Sequence, residues 1–359
     1  QKRFRMSVAL IILGAGKGAR MNSELPKVVH PIAGAPMLVH AMRAGATLDP
    51  AHTVIVAGHG ADTVTKVAHA YDDEAKIVLQ NEQLGTGHAV LQAADALAGF
   101  EGKVIVMYGD TPFVKPETLE AMIAAKADVV VLGFEPADAG RYGRLVTNGA
   151  SLERIVEFKD ATDTERAITL CNSGVICGAA PLLFELLNKV TNDNASGEYY
   201  LTDVIGLART AGHTATVVTC SEAETLGINS RAELAAADAL FQAAARLALL
   251  DDGVTLVAPD TVYLSLDTLI GRDTIIEPNV VFGPDVTVES GATIRAFSHL
   301  EGCHVSRGSI VGPYARLRPG AELSENVRVG NFVEIKNATI AEGAKVNHLS
   351  YIGDASIGE

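Results

Sequence analysis

"LIILGAGKGARMNSELPKVV", residues 10–29, runs from an apolar stretch straight into a glycine-rich turn and then supplies three cations, Lys17, Arg20 and Lys27. A β-rich run that empties into such a turn opens an α/β unit, and the loop's backbone N–H groups can approach an anion closely. Gly14, Gly16 and Ala19 match the spacing of a dinucleotide fingerprint. The next apolar run, "HTVIVAGHG" at 52–60, nevertheless ends without the acidic residue that would hold ribose hydroxyls. A P-loop needs Ser or Thr after its lysine, and Gly18 follows Lys17. What remains is a flexible loop bordered by fixed cations, which suits a triphosphate undergoing substitution.

Outward from the loop, the runs "SVALIIL", "HTVIVAG", "AKIVLQ", "KVIVMYGD" and "ADVVVLGF" are nearly continuous in apolar residues, as strands covered on both faces must be. Helical patterns lie between them, at 37–46, 61–71, 87–97 and 116–126. The expectation for residues 1–228 is therefore a Rossmann-like, doubly wound α/β domain. Residues 229–252 read as a connecting helix, with Ser230 placed to cap it and Gly253 beyond its end. After that the period changes. Ile270, Ile276, Phe282, Val288, Ile294 and Leu300 recur every six positions, then Val311, Leu317, Leu323, Val329 and Ile335, and a new phase holds Ile340, Val346 and Ile352. A period of six predicts a parallel β-helix of hexapeptide repeats over 253–359.

Bulk properties narrow the function. The chain has 359 residues, is 48% hydrophobic and carries a formal charge of −14, enough for two cores but unsuited to nucleic acid or an anionic membrane as main partner. No apolar run approaches the ~20 residues of a membrane span. The start mimics a signal peptide, but its apolar stretch is short and Lys17 and Arg20 follow at once, so it reads as a buried first strand. Met6 reads as a natural start, with Gln1 to Arg5 a mobile arm or cloning remnant. Cys171, Cys177, Cys220 and Cys303 form no CxxC pair or metal spacing, which fits a reducing cytoplasm.

Asp110 ends "KVIVMYGD" at the carboxyl edge, where ligands of open α/β sheets bind. A carboxylate there is the kind of hard oxygen donor that Mg²⁺ prefers. Taken alone, Asp110 has a second reading as a cap for the next helix, and a lone histidine such as His348 reads as structural.

"LGAGKGARM" followed by "LPK" resembles the nucleotide loop of sugar-1-phosphate nucleotidyltransferases. "LQNEQLGTGHA", "YGDTP", "YGR", "VEFKDAT", "CNSG", "GEYYLTD" and "GINSR" follow in the order of the bifunctional bacterial family of N-acetylglucosamine-1-phosphate uridyltransferases/glucosamine-1-phosphate acetyltransferases. "GPYARLRPGAEL", "VGNFVEIKNA" and "VNHLSYIGDA" resemble that family's left-handed β-helix acetyltransferase half. The resemblance implies transfer of UMP from UTP to N-acetylglucosamine 1-phosphate, giving UDP-N-acetylglucosamine for envelope polysaccharides and pyrophosphate. It implies Asp110 and Asn229 as Mg²⁺ ligands and Arg20 and Lys27 as phosphate cations. Leu13, Gly14, Ala15 and Gly16 become the nucleotide wall, and Gln80, Gly85 and Thr86 the uracil reader. Tyr108, Gly109, Gly143, Glu157 and Asn172 become sugar and ribose contacts.

For the second half it implies acetyl transfer from acetyl-CoA to glucosamine 1-phosphate. His348 is then the base, Arg318 and Lys336 a phosphate clamp and Tyr351 a substrate contact, in a homotrimer. The chain stops at "SIGE" within a hexad, which the resemblance reads as a C-terminal truncation that impairs acetyl transfer. Two other readings stay open: a glucose-1-phosphate nucleotidyltransferase whose β-helix is structural or regulatory, and a non-catalytic regulator on the same folds.

Overall fold

The structure, a computed structural model, describes residues 7–359. The reading of Gln1 to Arg5 as an arm ahead of Met6 lies outside the described residues. Two compact units divide the chain: one holds the residues up to His30 together with Pro36–Arg231, the other Pro31–Ala35 and Ala232–Glu359.

The first unit is built on a nine-stranded sheet. Its strands are β1 (Val8–Gly14), β2 (His52–Ala57), β3 (Lys76–Leu79), β4 (Lys103–Tyr108), β5 (Val129–Phe134), β6 (Arg144–Asn148), β7 (Ser151–Val156), β8 (Cys171–Ala179) and β9 (Ala215–Cys220). The order is β9-β5-β8-β4-β1-β2-β3, parallel except where β8 runs antiparallel to β4 and β5, with the β6/β7 hairpin attached at β8.

All of β1 is buried because alternate side chains feed two cores. Leu10 and Ile12 pack with Leu38 of α1 (Met37–Ala46) and Val64 of α2 (Ala61–Tyr71). Ile11 and Leu13 face Val90 of α3 (Thr86–Leu91) and Leu183 of α5 (Ala180–Leu187), while α4 (Pro116–Ala124) joins the first core through Leu119. From β1 the chain winds through β2 and β3 on one side, then returns to β4 on the other. That reversal opens a crevice at the carboxyl ends of β1 and β4, where Gly14 and Tyr108 stand.

The helix expected at 87–97 is shorter. Past Leu91 the turns tighten to i→i−3 bonds, from Ala93 N–H to Val90 O and from Ala94 N–H to Leu91 O, as Ala93 and Leu97 sink into the core.

In the second unit, the helix Arg231–Asp251 packs Ala245 and Leu249 on the β-helix core, and buried Gln242 exchanges both amide bonds with the Leu264 backbone at 2.8 and 2.9 Å. Gly253, at φ 87, ends it. Beyond lie parallel faces in which three hexads complete a coil. Ile276, Ile294, Val311, Val329 and Val346 stack on one face, and Phe282, Leu300, Leu317, Ile335 and Ile352 on the next.

The apparent phase changes belong to one continuous stack. Val305, absent from the hexad pattern, pairs with Val288 and Leu323, because the corner after Leu300 is one residue short. The corner after Ile335 is shortened in the same way, and left-handed Gly302 (φ 53) and Asn337 (φ 43) make these tight turns. Cys303 faces inward here, and burial pushes its thiol up to about 12, so at neutral pH it is an inert core group.

Candidate functional site

The crevice holds a cavity of about 290 Å³ lined by Leu13 to Gly16, Lys27, Gln80, Gly85, Thr86, Tyr108 and Asp110. Its floor is the turn after β1. Gly18, at φ 62, lies so close to Lys27 that an added Cβ would sit 2.6 Å from the lysine Cβ, so the loop folds against the lysine stem. Gly58 and Gly60, which follow β2 where a ribose acid would stand, instead give way to Ala15 and Pro26. Lys27 is thereby aimed inward. Its ammonium pairs with the Asp110 carboxylate and donates to Asn229 Oδ1 at 2.9 Å. Asn229 reaches Asp110 because Ile228 N–H bonds the Asp110 carbonyl at 3.0 Å. The Lys27 and Asp110 side chains are only 14% and 18% exposed, which weakens solvent screening of the pair.

Arg20, by contrast, is exposed and does not line this cavity. Gly109 N–H bonds Leu13 O at 2.9 Å and so fastens the end of β4 to β1.

Among the described residues no group of three or more His, Cys, Asp or Glu could hold a metal. Asp110 Oδ2 and Asn229 Oδ1 nevertheless converge on a single cation, the Lys27 ammonium. That donor pair fits Mg²⁺, which accepts few protein oxygens and completes its shell with phosphate and water.

On the far wall Gln80 is buried, and its amide N–H₂ donates to Gly85 O at 3.1 Å and contacts His88 Nδ1 at 3.1 Å. The turn 84–87 is laced to 199–201 by bonds from Tyr199 N–H to Leu84 O and from Gly87 N–H to Tyr199 O, both 2.8 Å, and from Leu201 N–H to Thr86 Oγ1 at 3.0 Å. Thr86 also hydrogen-bonds Tyr108. Burial first, then Asp110 and Glu157, pushes that phenol well above its ordinary range, so it stays a neutral donor and acceptor.

Gly174, at φ 92, leaves room for the Tyr108 ring. Asn172 accepts from Gly174 N–H at 3.0 Å and donates its own N–H to Gly143 O at 2.9 Å. Glu157 lies beside Gly143 and accepts from Thr202 Oγ1 at 3.1 Å. Burial raises the Glu157 carboxyl, Thr202 opposes the rise, and Asp203, Asp160 and Glu198 add to it.

Arg144 orders the loop that delivers Gly143. Fully buried, it donates to the carbonyls of Ala139, Gly140, Tyr142 and Arg166. Arg144→Met strips those oxygens of their donors. The expected loss is about 3 kcal/mol of stability, read as a lower urea midpoint at unchanged slope.

Sequence reasoning missed Thr202, Gly174, Gln83 and Glu198. "GEYYLTD" and "CNSG" marked the segments of three of them, but only tertiary contact shows which residue in each lines the cavity or braces its wall.

On the β-helix, Arg318 pairs with Glu334 at 2.8 Å and Lys336 with Asp354 at 3.7 Å. Both cations follow inward residues of one face, Leu317 and Ile335, whereas exposed His348 precedes that face and exposed Tyr351 lies on it. Within one chain, His348 stands at the corner opposite Arg318 and Lys336.

Comparison with known proteins places each unit in a family. Residues 10–174 match the MobA-like NTP transferase domain, and 267–302 match the bacterial transferase hexapeptide family. The inositol-1-phosphate CTP transferase of T. maritima superposes with a TM-score of 0.53 at 18% identity, over 65% of this chain and 96% of that one. A UDP-glucose pyrophosphorylase complexed with UDP-glucose gives 0.53 at 18%, over 67% and 100%, so these two share the fold. The bifunctional protein GlmU of Roseobacter denitrificans is 69% identical over 99% of this chain and 79% of its own length. That of Ruegeria sp. (strain TM1040) is 70% identical over the same shares. In the described residues no helix is long and apolar enough to cross a membrane. The chain belongs to the GlmU family of bacterial bifunctional proteins, which join a UDP-N-acetylglucosamine pyrophosphorylase to an acetyltransferase.

Proposed function

We propose that the crevice of the first unit transfers UMP from UTP to N-acetylglucosamine 1-phosphate and that the residues around it divide the work as follows. The observation that carries this reading is the Lys27 ammonium held at the convergent oxygens of Asp110 and Asn229, on the floor of a nucleotide-sized cavity. The 13–16 backbone lies along the phosphates, and Lys27 offsets the charge that builds on the α-phosphate. Gln80, Gly85 and the laced 84–87 turn hold the uracil edge. Tyr108, Gly143, Asn172 and Glu157 receive the sugar, whose phosphate oxygen attacks the α-phosphorus in line with departing pyrophosphate. Arg20 meets the outer phosphates from the exposed side of the loop. Mg²⁺, when bound by Asp110 and Asn229, supplies charge neutralisation on the phosphates. No covalent nucleophile is needed.

Ionised Glu157 is the better acceptor for sugar hydroxyls, and the Thr202 hydroxyl favours that form. Thr202→Val lets the Glu157 pKa climb further, so the acid limb of kcat/KM moves toward neutral pH. At mildly acidic pH the KM for the sugar phosphate is expected to rise about threefold to tenfold. An unmoved acid limb would count against Glu157 as the sugar acceptor.

In the second unit His348 is the base that takes a proton from the glucosamine amine, with Arg318 and Lys336 on the phosphate and Tyr351 on the substrate. Separation of base and clamp within one chain supports a homotrimer whose acetyltransferase sites draw on neighbouring copies. An exposed ridge of stacked Phe297, Tyr314 and Phe332, with centroids 5.0 and 5.2 Å apart, supports self-association as well. Acetyl-CoA is the donor, and the cytoplasm, where UTP is made, is the location.

The deciding experiment is pyrophosphate release with UTP and Mg²⁺, comparing N-acetylglucosamine 1-phosphate with glucose 1-phosphate and omitting the metal in a control. Metal-dependent preference for the N-acetylated sugar is expected. Preference for glucose 1-phosphate would move the chain to the other sugar class.

A further inference from the structure

Lys27 serves two claims at one point. Its ammonium is the cation that Asp110 and Asn229 share, and it is also the cation aimed into the phosphate cavity. An ammonium and a divalent ion cannot both occupy the convergence point of those two oxygens. The lysine stem packs against Gly18 of the loop, which fixes the root of the side chain and leaves only the torsions beyond it to carry the ammonium elsewhere.

We propose that Lys27 is a resident counter-ion of the divalent-cation site: the arriving metal displaces its ammonium from Asp110 and Asn229, and the displaced charge is received by the nucleotide phosphate that arrives with the metal. This rests on the assignment of Asp110 and Asn229 as metal ligands made above. Three consequences follow from charge alone. Without nucleotide, the metal competes with a tethered cation and binds weakly. With nucleotide, the ammonium has an anionic destination and the metal gains phosphate ligands, so the two bind with positive coupling. The Asp110 carboxylate is neutralised at every stage, which spares a shielded anion from standing unpaired.

The test uses Mn²⁺ as a probe, followed by its electron paramagnetic resonance signal, on the folded chain with no nucleotide present. K27M, which keeps a stem of similar shape, is expected to bind Mn²⁺ about tenfold more tightly than the unaltered chain. K27Q gives a second, polar version of the same measurement, and K27R, which keeps the charge, is expected to bind like the unaltered chain. Adding UTP should tighten Mn²⁺ binding strongly in the unaltered chain and by a smaller factor in K27M. Equal or weaker Mn²⁺ affinity in both folded K27M and K27Q would overturn the exchange. D110N, made alone and with K27M, separates the two levels of the argument. Loss of Mn²⁺ binding in both supports the ligand assignment, whereas retained binding would overturn that assignment and the exchange with it.

Discussion

Replacing Asp110 by asparagine is expected to lower pyrophosphate release by about 10³-fold, with the thermal transition still cooperative. The change keeps the side chain's shape and one oxygen but removes the carboxylate that the Lys27 ammonium pairs with. Two losses follow. The proposed metal site is left with neutral amide oxygens, a poor donor set for a hard divalent ion, and Lys27 loses the anion that holds it inward. The end of β4 that carries the residue remains fastened by the Gly109 bond to Leu13 and the Ile228 bond to the Asp110 carbonyl, neither of which involves the side chain. Initial rates measured across a Mg²⁺ titration check this. Full activity at limiting Mg²⁺ would remove Asp110 from the metal site.

Gly85→Ala is expected to raise the KM for UTP by about 30-fold or more and to destabilise the first unit by about 2 to 4 kcal/mol. Gly85 sits at φ 120, a backbone region closed to residues with a Cβ, and the added carbon would stand 2.5 Å from Tyr199 O and 2.7 Å from Tyr199 N. Those are backbone atoms, so they cannot move aside as a side chain would. The substitution forces the 84–87 turn away from 199–201, which breaks the bonds from Tyr199 N–H to Leu84 O and from Gly87 N–H to Tyr199 O. The Gly85 carbonyl that Gln80 donates to is displaced with them. Nucleotide titration and urea unfolding read the two effects separately, and an unchanged KM would show that this turn does not hold the base.

Much of the fold was legible because it follows from local periodicity. A strand buried on both faces must be apolar throughout, so β1 and β4 announce themselves, and a coil that buries one aliphatic residue per face must repeat every six positions. The hexad pattern lost its phase at Leu300 and Ile335 because a corner can drop a residue when a left-handed turn closes it, and stacking then restores the register. The helix expected at 87–97 failed past Leu91 because core contacts, not helix preference, decide the path of Ala93 and Leu97.

By itself the sequence determined a doubly wound domain, a hexapeptide β-helix, a glycine-rich loop after the first strand and, through its motifs, the family. Each of these is written in residue types at fixed spacing along the chain. Only the tertiary structure decided that Lys27, Asp110 and Asn229 meet at one point while Arg20 remains exposed, and that Thr202 supports Glu157. Those residues lie far apart in the chain, and whether distant side chains converge depends on strand order and close backbone packing, which no local pattern encodes.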